Sequence, residues 1–149
     1  MEYAKLALDF ATKAHKGQKD KGGMPYLVHP CYVADHVDGD VAKAVAYLHD
    51  VIEDTWATTG DLKNAGFSDE IIEAVKLLTR DKDMDYEKYI ENLCKNPVAK
   101  TVKLADLEHN SQIDRIKNPT EKDYKRQAKY LKMIDKIKKA GNNHRVIPA

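Results

Sequence analysis

The sequence predicts an all-α fold in a single domain, and three observations predict it. Apolar residues recur with a period near 3.6 almost throughout. No segment alternates with period two for long. The breaks between periodic segments fall at glycine, proline, asparagine and threonine, the residues that cap and stop helices. A chain of 149 residues with no internal repeat, low-complexity tract or flexible linker reads as one domain over 1–149, long enough to bury a real core.

Tyr3, Leu6, Ala7, Phe10, Ala11 and Ala14 make the first apolar stripe. Lys16 to Pro25, "KGQKDKGGMP", breaks it and reads as a polar loop. A helix is predicted from about Pro30 to His36, with the proline in its first turn. Asp40 is placed to cap one continuous helix running from Val41 through Asp54. Thr59 caps a short helix that stops at Gly66, and Ser68 caps Asp69 to Thr79. Asp85 to Asn96 is a further helix, closed by Pro97; Val98 to Ile116 follows and ends before Asn118-Pro119. Thr120 begins the last helix, about 120–140, with lysines crowding its end and Gly141 as the stop; the tail from Asn142 is expected to be loose.

Composition is that of an ordinary soluble protein, 42% apolar and 33% charged. With 25 basic against 24 acidic residues there is no global argument for nucleic acid or an anionic membrane as partner. The longest apolar runs fall short of a membrane span, and the N-terminus lacks the pattern of a signal peptide. Cys31 and Cys94 have no close spacing and read as free thiols, so the expected location is cytoplasmic. The lysine-rich last helix reads as amphipathic with a solvated face, and a homo-oligomer is left open.

The chemistry concentrates in "LHDVIEDT", Leu48 to Thr55. On a helix, His49 shares a face with Glu53, and Asp50 with Asp54, so the four fan across one side of the helix end. Apolar Val41, Ala44, Val45 and Leu48 anchor the same helix in the core, which puts the cluster at a boundary between core and cavity. Pro25 and Pro30 flank His29 in "PYLVHP" and stiffen it as a fixed corner. In "VKLADLEHN", Asp106 lies among apolar neighbours, and Lys103, Asp106 and Asn110 fall on one helical face. Two histidines and two aspartates offer a mixed donor set that suits Mn²⁺, Fe²⁺ or Zn²⁺ better than Ca²⁺. A divalent ion makes hydroxide available near neutral pH, and Glu53 with Asp54 could orient water and carry its proton.

Taken one at a time these residues have plainer readings. His49-Asp50 could be a solvated helix end, His29 a structural cap, Asp106 a partner of Lys103, and Glu53-Asp54 exposed acids, although acids at a helix C-terminus oppose its dipole. Asn110 could cap backbone, and Lys21 could be a solvated loop charge. His15 and His109 read as structural or surface residues, and Tyr86 and Tyr89 as core packing, though either ring could line a nucleotide pocket.

In order and spacing, "PYLVHP", "LHDVIEDT" and "VKLADLEHN" resemble the motifs of the HD superfamily of metal-dependent phosphohydrolases, within it the hydrolase domain of RelA/SpoT-type proteins and the small alarmone hydrolases. The resemblance covers about 14–115. It implies an all-helical HD-type bundle, one Mn²⁺, and removal by water of the 3′-pyrophosphate of guanosine tetra- or pentaphosphate. Carried over, His29, His49, Asp50 and Asp106 match the metal ligands, Glu53 and Asp54 the catalytic pair, Asn110 a nucleoside contact and Lys21 a basic loop residue. Lys21 and Lys103 are expected to neutralise charge on phosphate oxygens. The loop departs from the family's Arg-Lys pair, because Asp20 stands at the arginine's place and a carboxylate cannot stack on a base. After Asn110, "SQIDR" stands where the long enzymes read "MRT". The departures keep two alternatives open: the same chemistry on another nucleotide, a nucleoside monophosphate or NADPH, and a catalytically weak nucleotide-binding module. With no synthetase domain in the chain, hydrolysis without synthesis is the expectation.

Overall fold

In the computed structural model, residues 2–19, 23–81 and 83–145 are described, the last five by backbone alone. Among them the chain is helical and forms no strand; its one extended contact is an isolated antiparallel bridge between Lys19 and Pro25. The helices are α1 (Tyr3–Ala14), α2 (Val28–Asp35), α3 (Asp40–Leu48), α4 (Val51–Asp54), α5 (Thr59–Asn64), α6 (Asp69–Leu78), α7 (Tyr86–Cys94), α8 (Pro97–Asn110) and α9 (Glu121–Arg145). No helix among the described residues is long and apolar enough to cross a membrane. Cys31 and Cys94 are free and half-buried.

α3 is the hub. Ala44, Val45, Ala46 and Leu48 are all fully buried, and α1, α2, α6 and α8 pack around them. α1 packs on α3, and the fully buried Ala7 and Ala11 of α1 and Ala44 and Ala46 of α3 keep side-chain bulk in these two helices small. Leu62, Ile71, Val75, Leu93, Val102 and Leu107 complete the core. α9 lies across α7 and α8, with Ile137 buried beneath it.

The start signals act much as the sequence predicts, one residue off in places. Thr58, rather than Thr59, caps α5 in a reciprocal box with Asp61. Gly66 follows α5 at φ 102°, which a side chain would strain. Ser68 caps α6, and Asn96 caps α8 with Pro97 in its first turn.

Five expectations are corrected. α2 begins at Val28, so His29 sits inside its first turn, where Pro30 lacks only an amide that would be unpaired anyway. Asp40 does not cap its own helix: Gly39 does, and the Asp40 carboxylate instead accepts the N–H groups of Tyr3 and Ala4 at 2.9 and 2.8 Å, capping α1. The helix expected through Asp54 breaks at His49-Asp50. There His49 Nδ1 donates to the Ala46 carbonyl at 2.6 Å, the acceptor that the Asp50 amide would need to continue the helix. α8 ends at Asn110, where Ser111 Oγ bonds the Glu108 carbonyl and Gln112 N–H tightens onto His109; Ile113–Arg115 is a separate 3₁₀ turn. Gly141 does not stop α9, which runs on to Arg145; a glycine lowers helix propensity by about 1 kcal/mol but ends a helix only when it turns left-handed.

Candidate active site

The break after α3 places His49 and Asp50 side by side at the end of the central helix. His49 Nδ1 is held by the Ala46 carbonyl, which turns Nε2 inward. Asp50 takes φ −109°, ψ 0°, a sparsely used backbone region common at functional sites. α2 brings His29 from one side and α8 brings Asp106 from the other, both buried.

One donor atom from each of the four lies within 4.8 Å of the other three. His29 Nε2 stands 2.8 Å from Asp106 Oδ1, 3.2 Å from His49 Nε2 and 3.8 Å from Asp50 Oδ2. His49 Nε2 stands 3.0 Å from Asp50 Oδ2 and 3.4 Å from Asp106 Oδ1. Donors sharing one ion at about 2.1 Å lie about 3.0 Å apart when adjacent and about 4.2 Å when opposite. The observed separations fall in or near that interval, and the mixed imidazole–carboxylate set fits a divalent transition metal.

Supporting groups fix these atoms. Tyr26 Oη donates to Asp50 Oδ2. Lys103 Nζ pairs with Asp106 Oδ2 at 3.0 Å, and Asn110 Nδ2 donates to Asp106 Oδ1 at 3.0 Å. Lys103 and Asn110, predicted to face substrate, thus each direct a hydrogen bond at Asp106 as well as lining the cavity. Burial raises the Asp50 carboxyl, but the charge and hydrogen bond of His49 outweigh it and bring it down to about 2. Burial likewise opposes ionisation of Asp106, and Lys103 with the histidines overcomes it, holding that carboxyl well below the ordinary range. His49 moves the other way: burial lowers it, but Asp50 and Asp106 raise it more. Burial and the Asp50 charge push the Tyr26 phenol far up, so it stays a donor.

Glu53 and Asp54 group with Asp50 within 4.8 Å, one turn further along on α4. Both are raised above the usual carboxylate range, first by burial; Asp50 adds to it, and for Glu53 the Arg80 N–H works against it. The two acids, with His49, Asp50 and Asp106 of the cluster, open onto one cavity of about 850 Å³. Tyr86, Tyr89, Tyr130 and Met133 form its apolar wall, and Arg80, Lys103, Arg126, Lys129, Lys132 and Lys136 bring six cations to it. Lys103 pairs with Asp106, Arg126 with Asp123 and Lys136 with Glu87, whereas Lys129 and Lys132 hold no ion pair with a described residue.

The structure therefore brings His29, His49, Asp50, Asp106, Glu53, Asp54, Lys103 and Asn110 into one neighbourhood. Lys21 and Asp20 lie outside the described residues. The sequence reading missed three things. The basic face of α9 lines the cavity rather than serving only as a solvated face; Arg126, Lys129, Lys132 and Lys136, spaced three to four apart, carried that signal. Tyr26 braces Asp50. His109 is buried, with its Nδ1 2.7 Å from His29 Nδ1; its position three residues after Asp106, on the same face, was the available clue.

Residues 7–141 match the HD domain family. The chain is 38% identical to a guanosine-3′,5′-bis(diphosphate) 3′-pyrophosphohydrolase of Haemophilus influenzae over 67% of its own length and 17% of that protein. It is 36% identical to a GTP pyrophosphokinase of Myxococcus xanthus, over 74% of this chain and 17% of that one. It is also 36% identical to the bifunctional (p)ppGpp synthase/hydrolase SpoT of Escherichia coli, over 67% and 16%. The chain thus spans about a sixth of the length of these curated relatives. A solved structure of a metazoan orthologue of SpoT, described as hydrolysing ppGpp, superposes with a TM-score of 0.75 at 24% identity, over 92% of this chain and 85% of that one, which shows a shared fold. With a metal-competent histidine–aspartate cluster inside that fold and the family matched over nearly its whole length, the chain belongs to the HD domain family.

Proposed function

We propose that this protein is a metal-dependent phosphohydrolase that removes the 3′-pyrophosphate of guanosine tetra- or pentaphosphate. The observation that carries the reading is the convergence of four metal-type donors beside two acids, at a cavity whose far wall is basic. A volume of about 850 Å³ suits a nucleotide. Cations on the α9 wall suit a substrate with phosphates at both ends, and the relatives named for pyrophosphohydrolase activity on this alarmone make it the leading candidate.

His29, His49, Asp50 and Asp106 would hold the ion, with Mn²⁺ the first choice. When bound, the ion supplies Lewis-acid polarisation and acidifies water. Glu53 and Asp54, with carboxyls raised above the ordinary range, are placed to orient the attacking water and accept its proton. Lys103 holds Asp106 in place and lends its charge to the developing phosphate negative charge, as Lys21 would from the loop. The tyrosine wall, with Asn110 at its edge, offers apolar and hydrogen-bonding surface to the nucleoside.

One observation favours a second reading, the same chemistry on another nucleotide such as a nucleoside monophosphate or NADPH: Asp20 occupies the place of the family's base-stacking arginine. Product analysis against a nucleotide panel decides between them. Pyrophosphate released from the alarmone alone supports the first; orthophosphate from another nucleotide supports the second. Asp50→Ala should lose bound metal and turnover together, and wild-type activity in that variant would move the site elsewhere. Binding of nucleotide with no turnover at any metal loading would leave a binding module.

A further inference from the structure

We propose that His109 is a positioning residue for this site: its Nδ1 is the hydrogen-bond partner that sets the tautomer of His29. The inference rests on His29 being a metal ligand. His29 and His109 are both buried, and their Nδ1 atoms are 2.7 Å apart. Their rings are tilted by only 10°, with centroids 5.0 Å apart. That separation is nearly accounted for by the line through the two Nδ1 atoms. The rings therefore lie edge to edge in a common plane, joined by an N–H···N bond, rather than face to face.

A neutral imidazole carries its proton on one nitrogen. For His29 Nε2 to offer its lone pair to a cation, the proton must sit on Nδ1, and a buried N–H needs an acceptor. His109 Nδ1 is the acceptor at hand. It also does what a carbonyl or carboxylate could not, because an imidazole nitrogen either accepts or donates. Without an ion, His29 Nε2–H donates to Asp106 Oδ1 at 2.8 Å and His109 Nδ1–H donates back to His29. With an ion both proton positions reverse while the heavy atoms stay where they are. The same geometry serves both states.

The His109 ring is clamped for this purpose. Tyr32 stacks on it at 4.0 Å and 15°, and Gln112 Nε2 donates to the Tyr32 hydroxyl at 3.0 Å. His36 covers the other face of Tyr32 at 3.9 Å. Packing alone would be met by an apolar side chain, whereas an imidazole at this depth costs free energy unless its nitrogens are bonded.

The test is metal affinity of the apo protein, by Mn²⁺ titration against a fluorescent chelator, for wild type, His109→Phe, His109→Gln and His49→Ala. Loss of a hydrogen bond to a liganding histidine typically weakens metal binding about 10- to 100-fold. That loss is expected in H109F, with part of it recovered in H109Q, whose amide oxygen can accept. In zinc-loaded, ¹⁵N-histidine-labelled wild type, one Nδ1 proton should show coupling across the hydrogen bond to a second imidazole nitrogen. Wild-type affinity in folded H109F, or absence of that coupling, overturns the proposal. H49A should lose metal regardless; if it binds as wild type does, the ligand assignment fails rather than the role of His109. Should H109F not fold, the wild-type coupling decides alone.

Discussion

Glu53 Oε1 accepts the backbone N–H of Arg80 at 2.6 Å, across 27 residues of sequence. The acid assigned to water is therefore also the anchor of the segment that carries Arg80, whose guanidinium lies 4.8 Å from the Tyr86 ring centroid at the cavity wall. The two roles separate by substitution. Glu53→Gln keeps an acceptor for Arg80 and removes the basic carboxylate, so kcat should fall about 10²- to 10⁴-fold with KM little changed. Glu53→Ala should add a rise in KM. Steady-state kinetics on the two variants checks both; equal KM effects would mean the anchor is idle.

Lys103 is the half-buried counter-charge of the buried Asp106, and Lys103→Met should destabilise the metal-free protein. Removing one partner of a buried ion pair costs about 3–5 kcal/mol when nothing else compensates, and His29, His49 and Asn110 soften the loss here. Urea unfolding should therefore show a loss of about 2–3 kcal/mol without metal. With saturating Mn²⁺ the loss should shrink, because the ion takes over neutralisation of Asp106.

Asp40 caps α1 as a carboxylate, and its two backbone hydrogen bonds hold its pKa below the ordinary value. A depressed folded-state pKa stabilises above the unfolded pKa and loses that contribution as pH falls through the folded one. Asp40→Ala should therefore melt below wild type at neutral pH, and the gap should narrow under acid. Paired thermal melts at pH 7 and near pH 3 test this; a gap constant with pH would mean the cap works without its charge.

Lys129 and Lys132 line the cavity and hold no ion pair with a described residue. The double alanine variant should raise KM for a polyphosphorylated nucleotide about 3- to 10-fold at low salt, as two partly exposed charge contacts would. The difference should fade in about 0.5 M salt, where the screening length drops to a few ångströms. A KM indifferent to both lysines at low salt would return this face of α9 to solvent.

The helices and the four donor residues were legible because both signals are local. Periodicity marks the buried face of α3 and α6, and the three short motifs carry the side chains that meet at the site. What escaped depended on partners distant in the chain. Asp40 was read as a cap for its own helix because nothing local says that α1 will begin beside it, 36 residues away. His109 shows its face through Asp106, yet its partner, His29, lies 80 residues off. The α9 lysines carried a one-sided spacing, but a basic stripe looks the same whether it meets water or a cavity. The break at His49-Asp50 was hidden because the sequence there favours helix, and only the His49 ring competing for the Ala46 carbonyl interrupts it.

That interruption has a consequence for how the histidine–aspartate dipeptide works. On an unbroken α-helix, neighbouring side chains splay by about 100° and could not grasp one ion together. In the proposed site, the kink would let two adjacent residues close on one ion as a claw whose bite main-chain torsion helps to set. Sliding the pair by a single position, or straightening the bend with a stronger helix former, would open that claw while leaving every proposed ligand in the protein.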